Sequence, residues 1–412
     1  MVTRLFRVPR APNGPSPPSR ALFTRNVALV SATRVLSSVG FSATMPFLAL
    51  YLAVERGVSL DVVGAMYLLQ AFASLGSQVL SGLVSDRVGA KRTYLLGYVF
   101  ASASALYMAG LIIFGLPVVV IVATYPVFSL FRGFTIPAGA ALVADEKTDV
   151  VTNFSLLTMA ANLGFALGPA MGGILVAYTG YGPLFLFSAA LSVVSLLASF
   201  FLEEGTYHLA KEKARVWPDR HTLTFILLSF VGYLVIGQDI EPFALYVGKF
   251  EGVSNLMVGY LFSFSGLMIV LLQIPLMRLL GRFRSHAVIV LSSGVSVLAF
   301  LMLYLSAGTL DLFASMAAMT LAEILLVVPA QVWVTLRAPP SRKGAYQGYY
   351  GAARSSGRSA AAWLGSTIQG GFLPAPGISW LVMAGVALAT GVGFAFHGRS
   401  ERTGAPAVGK DG

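Results

Sequence analysis

Apolar stretches of membrane-crossing length follow one another along almost the whole chain, and nothing else constrains the fold as strongly. A spanning helix needs about 20 mostly apolar residues to cross a hydrocarbon layer roughly 30 Å thick. Twelve such stretches are predicted, near 26–54, 62–84, 93–115, 118–144, 153–177, 182–202, 223–247, 256–280, 286–307, 310–336, 345–371 and 378–397. Short gaps holding Gly, Pro or charges separate them, as in FGLP (114–117) and LPAPG (373–377). A β-barrel is excluded, because its strands would alternate between apolar and polar residues. The composition agrees, with 56% hydrophobic and 11% charged residues in 412. The fold expected is an all-α membrane protein.

The 28 Lys and Arg residues set the orientation. Most fall in the N-terminal tail and in the loops on the same side as it, which places both termini in the cytoplasm. The formal net charge of +11 is thereby a topogenic and lipid-facing signal, and no nucleic-acid partner is expected. Residues 1–25, rich in Pro and Arg, read as a disordered tail, as do 398–412. No cysteine is present, so disulfide and thiol chemistry are excluded.

The two halves repeat. MPFLALYLAVERGVSLDVVG (45–64) and EPFALYVGKFEGVSNLMVG (241–259) align at an offset of 195, matching Tyr51, Gly57, Val58, Ser59, Val63, Gly64 and Gln78 with Tyr246, Gly252, Val253, Ser254, Val258, Gly259 and Gln273. Two six-helix bundles follow, 26–202 and 223–397, joined by a cytoplasmic linker at 203–222. Paired bundles that rock about a midplane site are a secondary-transporter architecture. No phosphate-binding loop, metal-ligand cluster or nucleophile–base pair accompanies them, so no cofactor, metal or enzymatic activity is expected. His208, His221, His286 and His397 read as scattered residues at inner helix ends.

The segment Gly82-x3-Asp86-Arg87-x-Gly89-x-Lys91-Arg92 resembles the signature loop of the major facilitator superfamily, and the resemblance covers essentially the whole chain. It implies a latch. Asp86 would lie near the positive start of the eleventh helix, around Gly344 to Tyr346, and Arg87 would reach an acid at the inner end of the fourth, Asp145. The glycines would let the loop pass close to its neighbour. The fifth helix carries GFALGPAMGG, in which Gly164, Gly168, Pro169, Gly172 and Gly173 resemble the motif of the superfamily's 12-helix drug:proton antiporters. The same small residues suit an ordinary packing seam.

Ionisable groups at bilayer depth are costly and usually functional. Arg132 and Glu323 lie near the midplane of the fourth and tenth helices, each shortly before a Pro-Ala pair, and so stand opposite one another in the two halves. They resemble the arginine and glutamate of proton antiporters and multidrug exporters. A carboxylate in a weakly polar cavity can take up and release a proton, which makes Glu323 the expected carrier, unless the pair is a permanent salt bridge. Asp239 and Glu241, in the outer half of the seventh helix, either line a vestibule, carry a second proton or face the outer water. Gln70, Gln78, Gln238 and Gln273 are either cavity groups or helix glue. Arg34 either snorkels to the inner interface or joins the substrate cavity. Arg354 and Arg358, four apart, share one helix face; they either give the cavity a positive wall or neutralise its acids.

The leading expectation is a plasma-membrane transporter, acting as a monomer, that exports small amphipathic molecules in exchange for protons. Its rivals are a proton symporter or uniporter for an organic anion or other metabolite, and a non-transporting sensor or scaffold.

Overall fold

The computed structural model describes residues 24–144, 150–203, 218–338 and 343–403, and among these the only regular structure is helical. Most of both tails, most of the linker and Asp145 lie outside them, whereas residues 398–403, expected in the disordered tail, continue the last helix. In chain order the helices are α1 (Arg25–Leu50), α2 (Leu60–Val88), α3 (Ala90–Ile113), α4 (Val118–Ala144), α5 (Val150–Thr179), α6 (Tyr181–Ser199), α7 (Arg220–Ile236), α8 (Glu241–Leu245), α9 (Asn255–Leu280), α10 (Ser285–Tyr304), α11 (Thr309–Arg337), α12 (Lys343–Gly371) and α13 (Ile378–Thr403). Helices α7 and α8 are two parts of the seventh span.

Eleven of these spans are both long and apolar enough to cross a membrane. The exception is α12, predicted above as the eleventh apolar stretch. Its 29 residues include Arg354, Arg358 and many Gly and Ser, so its length suits a span but its composition does not. Tertiary packing explains the difference: α12 lies against α2 and α7 and turns polar residues to the interior, where lipid does not select against them.

The sequence repeat is reproduced as geometry. Each first span of a half ends in a π-helical turn, Tyr51–Glu55 and Tyr246–Phe250. Each is followed by a glycine at positive φ, 63° at Gly57 and 65° at Gly252, a conformation that side chains with a Cβ resist. The closing hydrogen bonds correspond as well, Val58 N to Leu52 O and Val253 N to Val247 O. A serine then holds the N-cap position of the next helix in both halves, Ser59 and Ser254, and of the two only Ser254 accepts a side-chain hydrogen bond, from Met257 N.

Within the first half α1 packs on α5 and α6, and α4 on α2 and α3; the second half joins α10 to α11 and α13, and α7 to α12. The halves meet along α5 with α9 and α2 with α12. At the end away from the termini they share one apolar core, in which Phe47, Leu50 and Val176 join Phe243, Tyr246 and Trp380. At the terminal end each half closes a core of its own, around Tyr94, Tyr98 and Leu142 in one and Phe225, Trp333 and Phe394 in the other. Among the described residues the halves are therefore joined by a common core at the far end and keep separate cores at the terminal end.

Candidate functional site

A cavity of about 650 Å³ lies between the halves, and its wall gathers residues from most of the spans. Arg34, Gln70 and Arg132 come from the first half; Asp239, Glu241, Gln273, Glu323, Arg354 and Arg358 come from the second. A volume of that size holds a drug-sized molecule.

The seventh span is broken where it meets this cavity. Helix α7 stops at Ile236, Gly237–Asp239 form a single 3₁₀ turn, and Ile240 adopts φ −107° and ψ −96° before α8 begins at Glu241 with Pro242 behind it. Irregular backbone at membrane depth requires replacement hydrogen-bond partners. Here α12 supplies them. The Gln369 Nε2 donates to the Pro242 carbonyl at 2.9 Å, and the Gln238 Nε2 donates to the carbonyls of Leu234 and Ala361, each at 3.2 Å. Gln238 is fully buried in this role and does not line the cavity. The close approach of α12 depends on Gly237, where a Cβ would stand 2.8 Å from that of Ala361.

The break carries Asp239 and Glu241 into the interior, at 6% and 2% exposure, and neither faces outer water. Arg358 joins the acids: one guanidinium nitrogen bonds the Glu323 carboxylate, and another stands 3.8 Å from the Asp239 Oδ1. Two carboxylates thus share one guanidinium. Glu241 Oε1 has no hydrogen-bond partner.

The expected opposition of Arg132 and Glu323 is not what forms. Glu323 is paired within its own half, whereas the Arg132 guanidinium stacks 3.6 Å from the centroid of the Phe41 ring. Equal depth in two helices fixes a level in the membrane, not the direction each side chain takes. Arg34, a candidate for the cavity or for snorkelling, lies on the cavity wall, and so does Arg354 beside Arg358. Gln70 and Gln273 line the cavity; the side chain of Gln78 is not described.

The glycines of α5 are a seam, with one residue crossing between halves. A Cβ on Gly164, Gly168 or Gly172 would fall 2.6, 2.6 and 2.4 Å from the carbonyls of Val35, Val39 and Ala43 in α1. Ser42 Oγ donates to the Gly164 carbonyl across this contact. Gly173 instead meets Gly259 of the second half, where its Cβ would lie 2.8 Å from the Cα. Pro169 lines the cavity.

The loop expected between the second and third spans is helical except at Gly89. Gly82, Asp86 and Arg87 lie in the last turns of α2, and Lys91 and Arg92 in the first turn of α3. Gly89 makes the connection at φ 95° and ψ 152°, so backbone conformation requires glycine there. Gly82 has room for a Cβ among the described residues, contrary to the close approach expected of it. Arg87 and Arg92 are exposed; the Asp86 side chain lies outside what is described. Helix α12 begins at Lys343, so the Gly344–Tyr346 segment does form a helix start.

Three histidines read as scattered are in fact gathered. His286 Nε2 and His397 Nδ1 are 2.8 Å apart, His221 and His397 stack with centroids at 3.8 Å, and Glu401 stands 3.5 Å from His286. They start or end helices that converge at the terminal end of the second half, a convergence that chain order hides. Sequence reasoning also missed the buried pair Tyr233 and Tyr350, whose hydroxyls are 2.5 Å apart.

Comparison with known proteins agrees with this architecture. The chain is 25% identical over 377 residues to the uncharacterized MFS-type transporter YttB of Bacillus subtilis, covering 86% of this chain and 91% of that one. It is 29% identical to a multi-drug resistance efflux pump PmrA homolog of Lactococcus lactis, over 61% of this chain and 65% of that protein. The solved structure of the nucleoside transporter NupG superposes with a TM-score of 0.73 at 16% identity, covering 91% of this chain and all of the other, and shows the shared fold. The profile of the Major Facilitator Superfamily matches residues 30–362, and the chain belongs to that family of multi-pass membrane transporters.

Proposed function

We propose that this chain exports small amphipathic molecules by alternating access, in exchange for protons held at the Asp239–Glu323–Arg358 cluster. The observation that carries the reading is the sharing of Arg358 by two carboxylates on the wall of a midplane cavity. With both acids ionised the cluster has one excess negative charge; one proton neutralises it. Protonation, substrate arrival and rearrangement of the halves then act on the same few side chains. Gly237 and the broken seventh span give the acids a backbone that can move with the halves. The efflux pump homolog supports the direction of transport by analogy.

Both termini face the cytoplasm of a plasma-membrane transporter in this reading, from the distribution of Lys and Arg, and the cavity opens inward. The latch read from the Gly82–Arg92 segment closes the same side when the far end opens. The chain works as a monomer and performs no covalent chemistry.

Proteoliposomes under an imposed pH gradient test this with three naphthyl probes that cannot cross lipid unaided: 2-naphthalenesulfonate, (naphthylmethyl)trimethylammonium and 2-naphthyl glucoside. Antiport predicts that at least one moves opposite to the protons. Movement in the same direction as the protons would overturn export by exchange. No gradient-driven movement of any probe would leave the sensor or scaffold reading.

A further inference from the structure

The cavity holds four arginines and three carboxylates, yet they are not distributed as four and three. Arg358 serves both Asp239 and Glu323. Arg34, Arg132 and Arg354 make no hydrogen bond or ion pair among the described residues, and Arg132 Nε is buried without a partner. The charged side chains that act on Arg34 and Arg132 are arginines: Arg354 on Arg34, and Arg34 on Arg132. Glu241 lies within the field of Arg358, Tyr67 and Tyr125 instead.

Arg34 and Arg132 are partly buried guanidinium groups without a counter-charge, which is costly, while Arg354 is exposed at the same wall. The Phe41 ring covers the face of Arg132, and stacking of that kind leaves the N–H edge of a guanidinium available to an acceptor. Carboxylate, phosphate and sulfonate groups match that edge with paired hydrogen bonds. The rest of the wall mixes polar groups such as Gln70, Asn162 and Gln273 with an apolar stretch formed by Phe165, Phe262, Ile269, Ile324 and Val327.

We propose that the cavity binds an amphipathic organic anion, its charged head held by Arg34 and Arg132 of the first half and Arg354 of the second, its apolar body along the phenylalanine and isoleucine wall. This names the substrate class of the transport function proposed above, and rests on it for the fate of the bound molecule. The two sides of the head-binding group belong to different halves. Empty, their like charges oppose closure at the terminal end; an anion between them removes that repulsion and links the halves, so occupancy favours the closed form.

The test uses the purified full-length chain in lipid nanodiscs, with no gradient, and equilibrium binding of the three naphthyl probes. The sulfonate is expected to bind saturably and about tenfold or more tighter than either the ammonium or the glucoside. Arg34→Gln and Arg354→Gln should each raise its Kd by about tenfold, with Arg34→Lys and Arg354→Lys retaining most of the affinity. Competition on the unaltered protein gives a reading that depends on no variant: inorganic sulfate should displace the sulfonate. Equal or tighter binding of the ammonium, no saturable sulfonate binding, unchanged affinity in both Gln variants, or no displacement by sulfate would each overturn the assignment. Sulfonate binding without gradient-driven flux would sustain the site and remove the transport reading. Flux of the ammonium with no sulfonate binding would do the reverse.

Discussion

The first and seventh spans descend from one repeated sequence and agree at one end only. From the π turns outward they match in backbone hydrogen bonding, in their positive-φ glycines and in having serine at the N-cap position that follows. Further in they part. Helix α1 runs unbroken through Ser42 to Phe47, Pro46 included, held against the α5 glycines. The equivalent stretch of the seventh span, Gly237 to Pro242, is where the backbone breaks and the acids enter the interior. The cavity walls divide in the same way. Among the described residues the first half offers Arg34 and Arg132 and no carboxylate, and the second offers the acids, together with the arginine that two of them share. The repeat supplies a scaffold at the far end, and the chemistry sits where the two copies have diverged.

The strongest way to break this contrast is to remove one arginine from each wall. Arg358→Ala strands two carboxylates, and loss of one partner from a buried ionic group costs about 3–5 kcal/mol. Thermal unfolding should show a large fall in Tm, partly recovered in the Arg358→Gln, Glu323→Gln double variant, which removes charge of both signs. Arg132→Gln breaks no ion pair: it gives up stacking on Phe41, about 0.5–2 kcal/mol, and relieves an uncompensated charge beside Arg34, so its net loss should be smaller still. Equal losses at Arg132 and Arg358 would show that the walls do not differ as described.

The α5 seam offers a test of what keeps the first span straight. In Gly168→Ala the new methyl meets Ser42 Oγ and the backbone of Val39 and Ala43, so overpacking should lower stability by about 1–3 kcal/mol. Gly57→Ala and Gly252→Ala sharpen the comparison from the other end. Both positions have the same left-handed backbone, so each substitution should cost about 1–2 kcal/mol, and the two costs should agree. Clearly unequal values would mean that the repeat is not energetically equivalent even where its geometry is.

The smallest effect is expected at the start of α7. Burial pushes the Asp219 carboxyl up, but hydrogen bonds from the Thr222 hydroxyl and backbone N–H, together with Arg337, outweigh it and hold it below its ordinary 3.8. A depressed carboxylate stabilises the fold above its unfolded pKa, and that contribution is lost as pH falls through the lower folded value. Asp219→Ala should therefore cost about 1 kcal/mol at neutral pH, the usual worth of such a cap, with a loss that does not vary between about pH 5 and 8. A pH-dependent loss in that window would contradict the assignment of Asp219 as a plain cap.

Much of this architecture is legible in the sequence because it depends on position along one helix. Span length, the repeat around Tyr51 and Tyr246, the small-residue spacing of Gly164, Gly168 and Gly172, and the depth of Glu323 and Arg358 are all of that kind. Partner choice is not. Whether Glu323 meets Arg132 or Arg358 depends on how α4, α11 and α12 are rotated about their own axes, which spacing from a loop does not record. The gathering of His221, His286 and His397 depends on three helix ends converging. The break at Gly237 had a local signal, a glycine with Asp, Glu and Pro close behind it, but its consequence is tertiary: α12 must supply the missing hydrogen bonds.

Coupling through the shared arginine is the central claim, and Glu323→Gln measured two ways in proteoliposomes tests it most directly. Counterflow of a transported naphthyl probe, which needs no proton movement, should persist near the wild-type rate. Accumulation driven by a pH gradient should fall to the level of protein-free liposomes. Undiminished gradient-driven accumulation in that variant, or equal loss of both activities, would contradict the account.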